Sequence, residues 1–463
     1  MQKLFDEVGS LDTRCYEKFY LSEDLLMEHA ANGIATYIKT HFEKNSTLLF
    51  VCGSGNNGAD LIACARILHQ DYRVSLFYAK EPKSPLAQLQ AKRARALDVA
   101  IVESICECDV VVDGLVGTGF DGTFSPELLA LMKRINGFDA FKIACDIPSG
   151  IQKNGVCAEG CFEADVTLTM GALKKRLFLD EAKEKVGRIE VLDLGVSRSV
   201  YEGETQWHLL DLKDMKLPQR DAQNTHKGSF GHLGVICGEK QGASILSGLA
   251  ASRFGAGLVT LVGFEDISVP EILMYSHEIP ANATALALGM GMGEEFSDIE
   301  LDQFLDNELP LIADADLFHT PLILKILERK ELVITPHPKE FVALLRLAGL
   351  AAIDVATLQK ERFYYAELFC KNFPSVTLLL KGANVIIAQG EQFFINPHGT
   401  NVLAKGGSGD VLSGLIGALL AQGYTPLDAA LHASLAHTKL ACNFKGASFS
   451  LTPYDLIDGI KDL

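Results

Sequence analysis

A chain of 463 residues is longer than one hydrophobic core fills, so two domains or three are expected, each well supplied by the 48% apolar and 22% charged composition. The formal charge of −17 excludes a protein that wraps a polyanion, and no Lys/Arg cluster long enough to offset it occurs. Eleven cysteines without paired CxxC spacing fit free thiols in a reducing compartment better than a disulfide framework. The N-terminus Met1-Gln-Lys-Leu-Phe-Asp-Glu is charged from its start, and the apolar stretch 243–264 is broken by Arg253. Neither a leader nor a membrane span is read, and the expectation is a cytoplasmic protein with no nucleic acid and no membrane partner.

In chain order, Ser22 is a candidate N-cap for an amphipathic helix over 22–40, with Leu25, Leu26, Ala30, Ile34 and Ile38 near helical spacing. Thr47-Leu-Leu-Phe-Val-Cys52 reads as a buried strand, followed by Gly53-Ser-Gly-Asn-Asn-Gly-Ala-Asp60 and a helix over 61–68. The GxGxxG spacing alone is weak evidence. Strand 74–79 ends in Lys80-Glu81 rather than a clear ribose-binding acid, and the amides of Asn56 and Asn57 suit a ligand or a monovalent cation as well as phosphate. Strand 109–113 ends in Asp113 and opens a second glycine-rich loop, Gly114 to Gly122; strand 140–145 ends in Asp146-Ile-Pro-Ser-Gly150. Three parallel-type strands thus bring polar groups to one sheet edge, where open α/β sheets hold ligands.

Pattern weakens after Val196, and the boundary is placed near residue 205. The second half opens on strand 232–237 and a helix rich in small residues over 243–254. The stretch 285–293 reads as a strand ending in the alternating glycines of Gly289-Met-Gly-Met-Gly293, where only backbone can approach a ligand. The strand from Pro310 is read as carrying Asp314 and Asp316 on one face, able to hold Mg²⁺ through waters or position a hydroxyl, or else simply as strand-end turn formers. His337 is fixed between Pro336 and Pro338; the stretches 376–382, ending in Lys381-Gly382, and 385–394 read as strands, the second as a hairpin through Gln389-Gly390. Asn401-Val-Leu-Ala-Lys-Gly-Gly-Ser-Gly-Asp410 then precedes an apolar helix. Free backbone N–H groups at that helix start make an anion cradle, and Asp410 beside it can take a proton from an attacking hydroxyl.

These motifs together resemble a known family along almost the whole chain. Gly55-Asn-Asn-Gly-Ala-Asp60, Val112-Asp-Gly-Leu-Val-Gly-Thr-Gly119 and Asp146-Ile-Pro-Ser-Gly150 look like the NAD(P)H-hydrate epimerase domain. His226-Lys-Gly-Ser-Phe-Gly231, Asp314-Ala-Asp-Leu317, Thr335-Pro-His-Pro338, Lys381-Gly382 and Gly406-Gly-Ser-Gly-Asp410 look like the ADP-dependent NAD(P)H-hydrate dehydratase domain. In this order they resemble the bifunctional nicotinamide nucleotide repair family, an isomerase fused to a lyase. The resemblance implies a Rossmann-like three-layer α/β domain over 1–205 and a ribokinase-like α/β domain over 206–463. It implies NAD(P)H hydrate and ADP as small-molecule partners, K⁺ in the first domain, Mg²⁺ in the second, and a homo-oligomer.

Residue by residue, the resemblance implies K⁺ ligands at Asn57, Asp113 and Ser149. Hydrate contacts fall on Asn56, Asn57, Gly58, Ala59, Asp60, Gly117, Thr118, Gly119, Phe120, Asp121, Gly122, Thr123, Gly291, His337 and Pro338. ADP contacts fall on Lys381, Gly382, Ala383, Asn384, Asn401, Lys405, Gly406, Gly407, Ser408 and Gly409. Asp146 is the acid/base candidate for epimerisation and Asp410 the base of the dehydratase. Ala59, Met290 and Lys339 depart from the family's usual glycine, proline and glycine. Two other readings of the chain are a small-molecule kinase and a nucleotide-sensing protein without turnover.

Overall fold

The computed structural model describes residues 1–263, 267–293 and 301–463. It divides into two units, residues 2–207 and 208–463.

In the first unit the sheet strands are β1 (Thr47–Cys52), β2 (Arg73–Tyr78), β3 (Ile101–Val102), β4 (Val110–Gly114), β5 (Phe141–Cys145), β6 (Val166–Met170) and β7 (Arg188–Leu192). They pair in parallel in the order β3-β2-β1-β4-β5-β6-β7. The order reverses between β1 and β4, and the two chain directions leave a crevice there at the strands' C-terminal ends. Alternation along β1 explains its unbroken apolar run: Leu48, Phe50 and Cys52 join one core, Leu49 and Val51 the other. The first core takes in α1 (Gly9–Lys18), α2 (Glu23–His41), α3 (Asn56–Leu68) and α4 (Pro85–Arg95); the second takes in α5 (Pro126–Asn136). Ser22 caps α2 as expected, accepting from Leu25 N at 3.3 Å. Helix α3 begins five residues earlier than its periodicity predicts, so Asn56 and Asn57 stand in its first turn.

In the second unit the strands are β8 (His232–Ile236), β9 (Leu258–Val262), β10 (Met274–Ser276), β11 (Ala285–Leu288), β12 (Leu311–Ala313), β13 (Leu332–Ile334), β14 (Thr377–Leu380), β15 (Val385–Gln389) and β16 (Gln392–Asn396). They run β10-β9-β8-β11-β12-β13-β14-β15-β16, parallel through β14, with β15 and β16 added antiparallel as a hairpin. One face is covered by α6 (Gln241–Arg253), α9 (Ser408–Ala421) and α10 (Pro426–Asn443); α7 (Pro338–Leu347) and α8 (Arg362–Asn372) are further helices. Every residue of α9 from Val411 to Ala421 is buried, which is why it reads apolar all round. Gly414 lets it press on α6, since a Cβ there would collide with the Ser247 carbonyl.

Candidate active sites

The first site is a cavity of about 640 Å³ at the β1/β4 switch point. Three loops feed it. A Cβ at Gly53 would strike the Leu115 carbonyl and one at Gly58 the Gly53 carbonyl, so the first two glycine-rich loops interlock only because these positions are bare. Asn56, Asn57, Gly58, Asp60, Gly117, Thr118, Gly119, Phe120, Asp121 and Asp146 all line the cavity. Ala59 does not: it is fully buried against Met27 and Ala87. Gly122 and Thr123 lie outside the lining as well.

Asp146 adopts a left-handed backbone, φ 67°, rare for a residue with a side chain. Its Oδ1 accepts from Lys174 Nζ at 2.5 Å and Met170 N at 2.9 Å, with Thr169 Oγ1 at 3.3 Å. Lys174 is 1% exposed and also donates to Thr169 Oγ1 and the Met170 carbonyl. The next basic side chain but one, Arg176, reaches the Thr118 carbonyl at 2.9 Å, so one short buried segment holds two of the loops. Asp12, Tyr16, Glu23 and Tyr201 also line the cavity, with Tyr201 donating to Asp12 at 2.7 Å. Burial lifts the Asp12 carboxyl, partly offset by that hydrogen bond. Asp60 is raised well above the usual carboxylate range, first by burial and then by Asp146, Asp12 and Glu23. Sequence reasoning missed Asp12, Tyr16, Glu23, Lys174 and Tyr201; only the three consecutive basic residues Lys174-Lys-Arg176 in an apolar run offered a signal.

In the wall of the cavity, Asn57 and Ser149 meet at the Val116 carbonyl, and Ser149 links this point to Asp113. Asn57 Nδ2 donates to that carbonyl at 3.0 Å and Ser149 Oγ at 3.2 Å, while Ser149 Oγ also donates to Asp113 Oδ1 at 2.7 Å. Asp113 is wholly buried, and burial pushes its carboxyl up to about 6 against the pull of Ser149 and Leu115 N–H. The donors are one carboxylate, a hydroxyl, an amide and a carbonyl, a set of hard oxygens with a single charge that suits a monovalent cation. No group of three or more His, Cys, Asp or Glu among the described residues could hold a metal ion.

The second site gathers at the C-terminal ends of β11 to β14. Lys381 Nζ lies 2.7 Å from Asp314 Oδ1, and Asp314 Oδ2 accepts from Ser413 Oγ of α9 at 2.7 Å. Strand β12 ends at Ala313, so the expected shared face of Asp314 and Asp316 does not exist: Asp314 caps a 3₁₀ turn with Ala315 at φ 54°. Asp314 is committed to Lys381, and Asp316 accepts from Gly293 N at 2.9 Å. Gly407 starts α9 at φ 90°, leaving the N–H groups that follow at the helix start. Asp410 stands in the first turn, its carboxyl pushed up to about 6 by burial, with Asp314 raising and Lys381 lowering it. Under this turn His437 is buried, and burial holds it down to about 4, a neutral ring.

Gly291, φ 66°, packs against the Lys240 carbonyl, and its neighbour Met290 is buried with its carbonyl bound by Ser244. His337 caps α7: its Nδ1 accepts from Lys339 N and Glu340 N, and Glu340 Oε2 in turn accepts from His337 N at 2.7 Å. An Nδ1 that accepts carries no proton, so the 3.1 Å contact of Nε2 with Glu340 is a hydrogen bond from a neutral ring rather than an ion pair. Burial is the main cause of the lowered His337 pKa. Pro338 opens the same helix and Lys339 is exposed. The loop Lys381-Gly-Ala-Asn384 closes on Arg362, a fully buried guanidinium that donates to the Leu380, Lys381 and Asn384 carbonyls. Arg362 gave no sequence signal. Gly406 has open space around it, a Cβ at Gly409 would lie 3.4 Å from Lys381 Nζ, Ser408 Oγ binds the Leu403 carbonyl, and Asn401 lies in a 3₁₀ turn. Lys405 reaches instead for the Phe449 carbonyl at 3.4 Å.

A doubly wound sheet with a carboxylate-rich cavity at its switch point, and a second α/β sheet with a carboxylate at a glycine-framed helix start, define a two-site α/β enzyme. A family profile described as NAD(P)H-hydrate dehydratase matches residues 233–461, and one described as YjeF-related protein N-terminus matches residues 23–176. A bifunctional NAD(P)H-hydrate repair enzyme of Helicobacter pylori is 42% identical, covering 100% of both chains. That of Escherichia coli is 31% identical over 84% of this chain and 79% of its own. A solved ADP/ATP-dependent NAD(P)H-hydrate dehydratase from Bacillus subtilis, co-crystallised with ATP/Mg²⁺, is 27% identical with a TM-score of 0.47, covering 54% of this chain and 94% of that one. The chain belongs to the bifunctional NAD(P)H-hydrate repair enzymes.

Proposed function

We propose that the first unit interconverts the R and S hydrates of NADH and NADPH, and that the second dehydrates the S form at the expense of ADP. The observation that carries this is the convergence of Asp410, Lys381 and Asp314 at the start of α9. Asp410 takes the proton of the C6 hydroxyl as its oxygen attacks the β-phosphorus of ADP, and AMP leaves. Backbone N–H groups of Gly406, Gly407 and Gly409 face the transferring group, and Lys381 holds the nucleotide phosphates. The ring nitrogen lone pair then expels phosphate from C6, and loss of a C5 proton restores the dihydronicotinamide. Mg²⁺, when bound, neutralises phosphate charge; Asp316 is the carboxylate we assign to it, since Asp314 is committed to Lys381.

In the first unit Asp146 is the acid/base at C6, and Asn57, Asp113 and Ser149 would hold K⁺, whose charge helps fix the loop bearing Val116. A reducing, cytoplasmic setting belongs to the same reading and is supported by all eleven cysteines being free. Among the described residues no helix is long and apolar enough to cross a membrane.

The test supplies mixed R and S hydrates with ADP to the intact protein and follows reduced nicotinamide absorbance and free phosphate. Asp410→Ala is expected to abolish turnover, whereas Asp146→Ala should convert one epimer quickly and the other only at the spontaneous rate. Unchanged turnover in Asp410→Ala overturns the assignment. A stable phosphate ester of an alcohol as product would make the protein a small-molecule kinase instead.

A further inference from the structure

The first cavity holds more carboxylates than one acid/base requires. Asp12, Glu23, Asp60 and Asp146 all line it, and the one lysine buried among them, Lys174, is paired with Asp146. Asn56 Nδ2 binds Glu23 at 2.7 Å and Tyr201 binds Asp12 at 2.7 Å. Among the described residues the Asp60 side chain has neither an ion pair nor a hydrogen bond, yet it opens on the same cavity as Asp146. A carboxyl that receives no donor from its surroundings and lies beside three other carboxylates is the group that keeps a proton to give.

We propose that Asp60 is the second catalytic residue of epimerisation, the proton donor to the ring nitrogen while Asp146 takes the proton of the C6 hydroxyl. This rests on the epimerase reading above. The C6 hydroxyl proton passes to Asp146, the C6–oxygen bond becomes a carbonyl, and the C6–N1 bond opens with its electron pair on N1, which takes a proton from Asp60. Rotation about C5–C6 presents the other carbonyl face. Closure returns the N1 proton to Asp60 and the Asp146 proton to oxygen, so the step consumes nothing.

The raised titration of Asp60 supports this role. The groups that bear on it are Asp146, Asp12, Glu23 and Lys174, with Tyr16, Cys64 and Cys145 also felt through the packing. A proton donor is lost as pH rises, so epimerase kcat should carry an alkaline limb set by Asp60.

The experiment uses the intact chain and the resolved R hydrate without ADP, with formation of the S hydrate followed by chromatography over a range of pH and the uncatalysed rate subtracted. Asp60→Asn is expected to lower kcat about a hundredfold, to change KM by less than about threefold, and to lose the alkaline limb. A variant that keeps wild-type kcat, or keeps the limb, overturns the proposal. If Asp60→Asn does not melt cooperatively, the wild-type profile decides, because a profile flat at high pH is incompatible with the proposal. Failure of the underlying reading looks different: the unaltered protein would then not epimerise the hydrate at all.

Discussion

A side chain at Gly382 would fall inside the guanidinium of Arg362, so the loop that presents Lys381 is folded over a buried cation rather than over a residue of its own. Arg362 donates to three carbonyls of that loop and its strand. Removing it leaves buried acceptors without donors, a loss of about 3 kcal/mol or more. Arg362→Ala should therefore lower stability of the second unit by that amount in urea unfolding. Gly382→Ala, which displaces the loop without removing the donors, should raise KM for ADP about tenfold, a shift of about 1.4 kcal/mol.

Asp410 is expected to set the acid limb of dehydration. Its carboxyl is pushed up to about 6 by burial, so kcat/KM should fall about tenfold per unit below that pH as the base becomes protonated. The same burial costs stability at neutral pH. For a carboxyl raised in the folded state, stability is lost as pH rises from about 4 through about 6, so Asp410→Asn should be inactive yet more stable at pH 8 by about 2 kcal/mol. Thermal melts at two pH values and steady-state kinetics check both halves.

Glu340 supplies a second linkage. Burial lifts it to about 7 although it closes the capping box with His337. The folded state thus binds its proton more tightly than the unfolded state, and stability is lost as pH rises from about 4.5 through about 7. Glu340→Gln keeps an acceptor for His337 N. Its stability relative to the wild type should be about 2 kcal/mol more favourable at pH 8 than at pH 4.5, measured by denaturant titration.

The oxygen cluster at Val116 gives a ligand test. K⁺ at a hundredfold excess over its Kd should stabilise the first unit by about 2.7 kcal/mol, with Tris as the cation control. Asp113→Asn, which removes the only charge of the set, should abolish the K⁺-dependent rise in melting temperature. A wild-type melting temperature indifferent to K⁺ would remove the cation from this site.

The loops at the strand ends were legible because their chemistry is written locally. A continuous apolar run ending in Asp113 or Asp146, or glycines before a helix at Asp410, states both a strand or helix end and the group delivered there. The pairing of Asp314 with Asp316 was misread because period-two alternation holds only while the strand lasts, and β12 stops at Ala313. His337, placed among the hydrate contacts by the resemblance, also closes a helix cap, a role its flanking prolines did not announce, since its Nδ1 accepts from backbone N–H groups two and three residues on.

The sequence by itself determined the two-site organisation, the α/β class and most of the loop residues, because burial periodicity and backbone permissiveness depend on neighbours in the chain. Only the tertiary structure decided which charges meet. Lys174 reaches Asp146 across 28 positions and Lys381 reaches Asp314 across 67, distances over which the sequence carries no spacing rule. Which carboxylate is paired and which is left to hold a proton follows from three-dimensional proximity and desolvation, and no local pattern of residues encodes either.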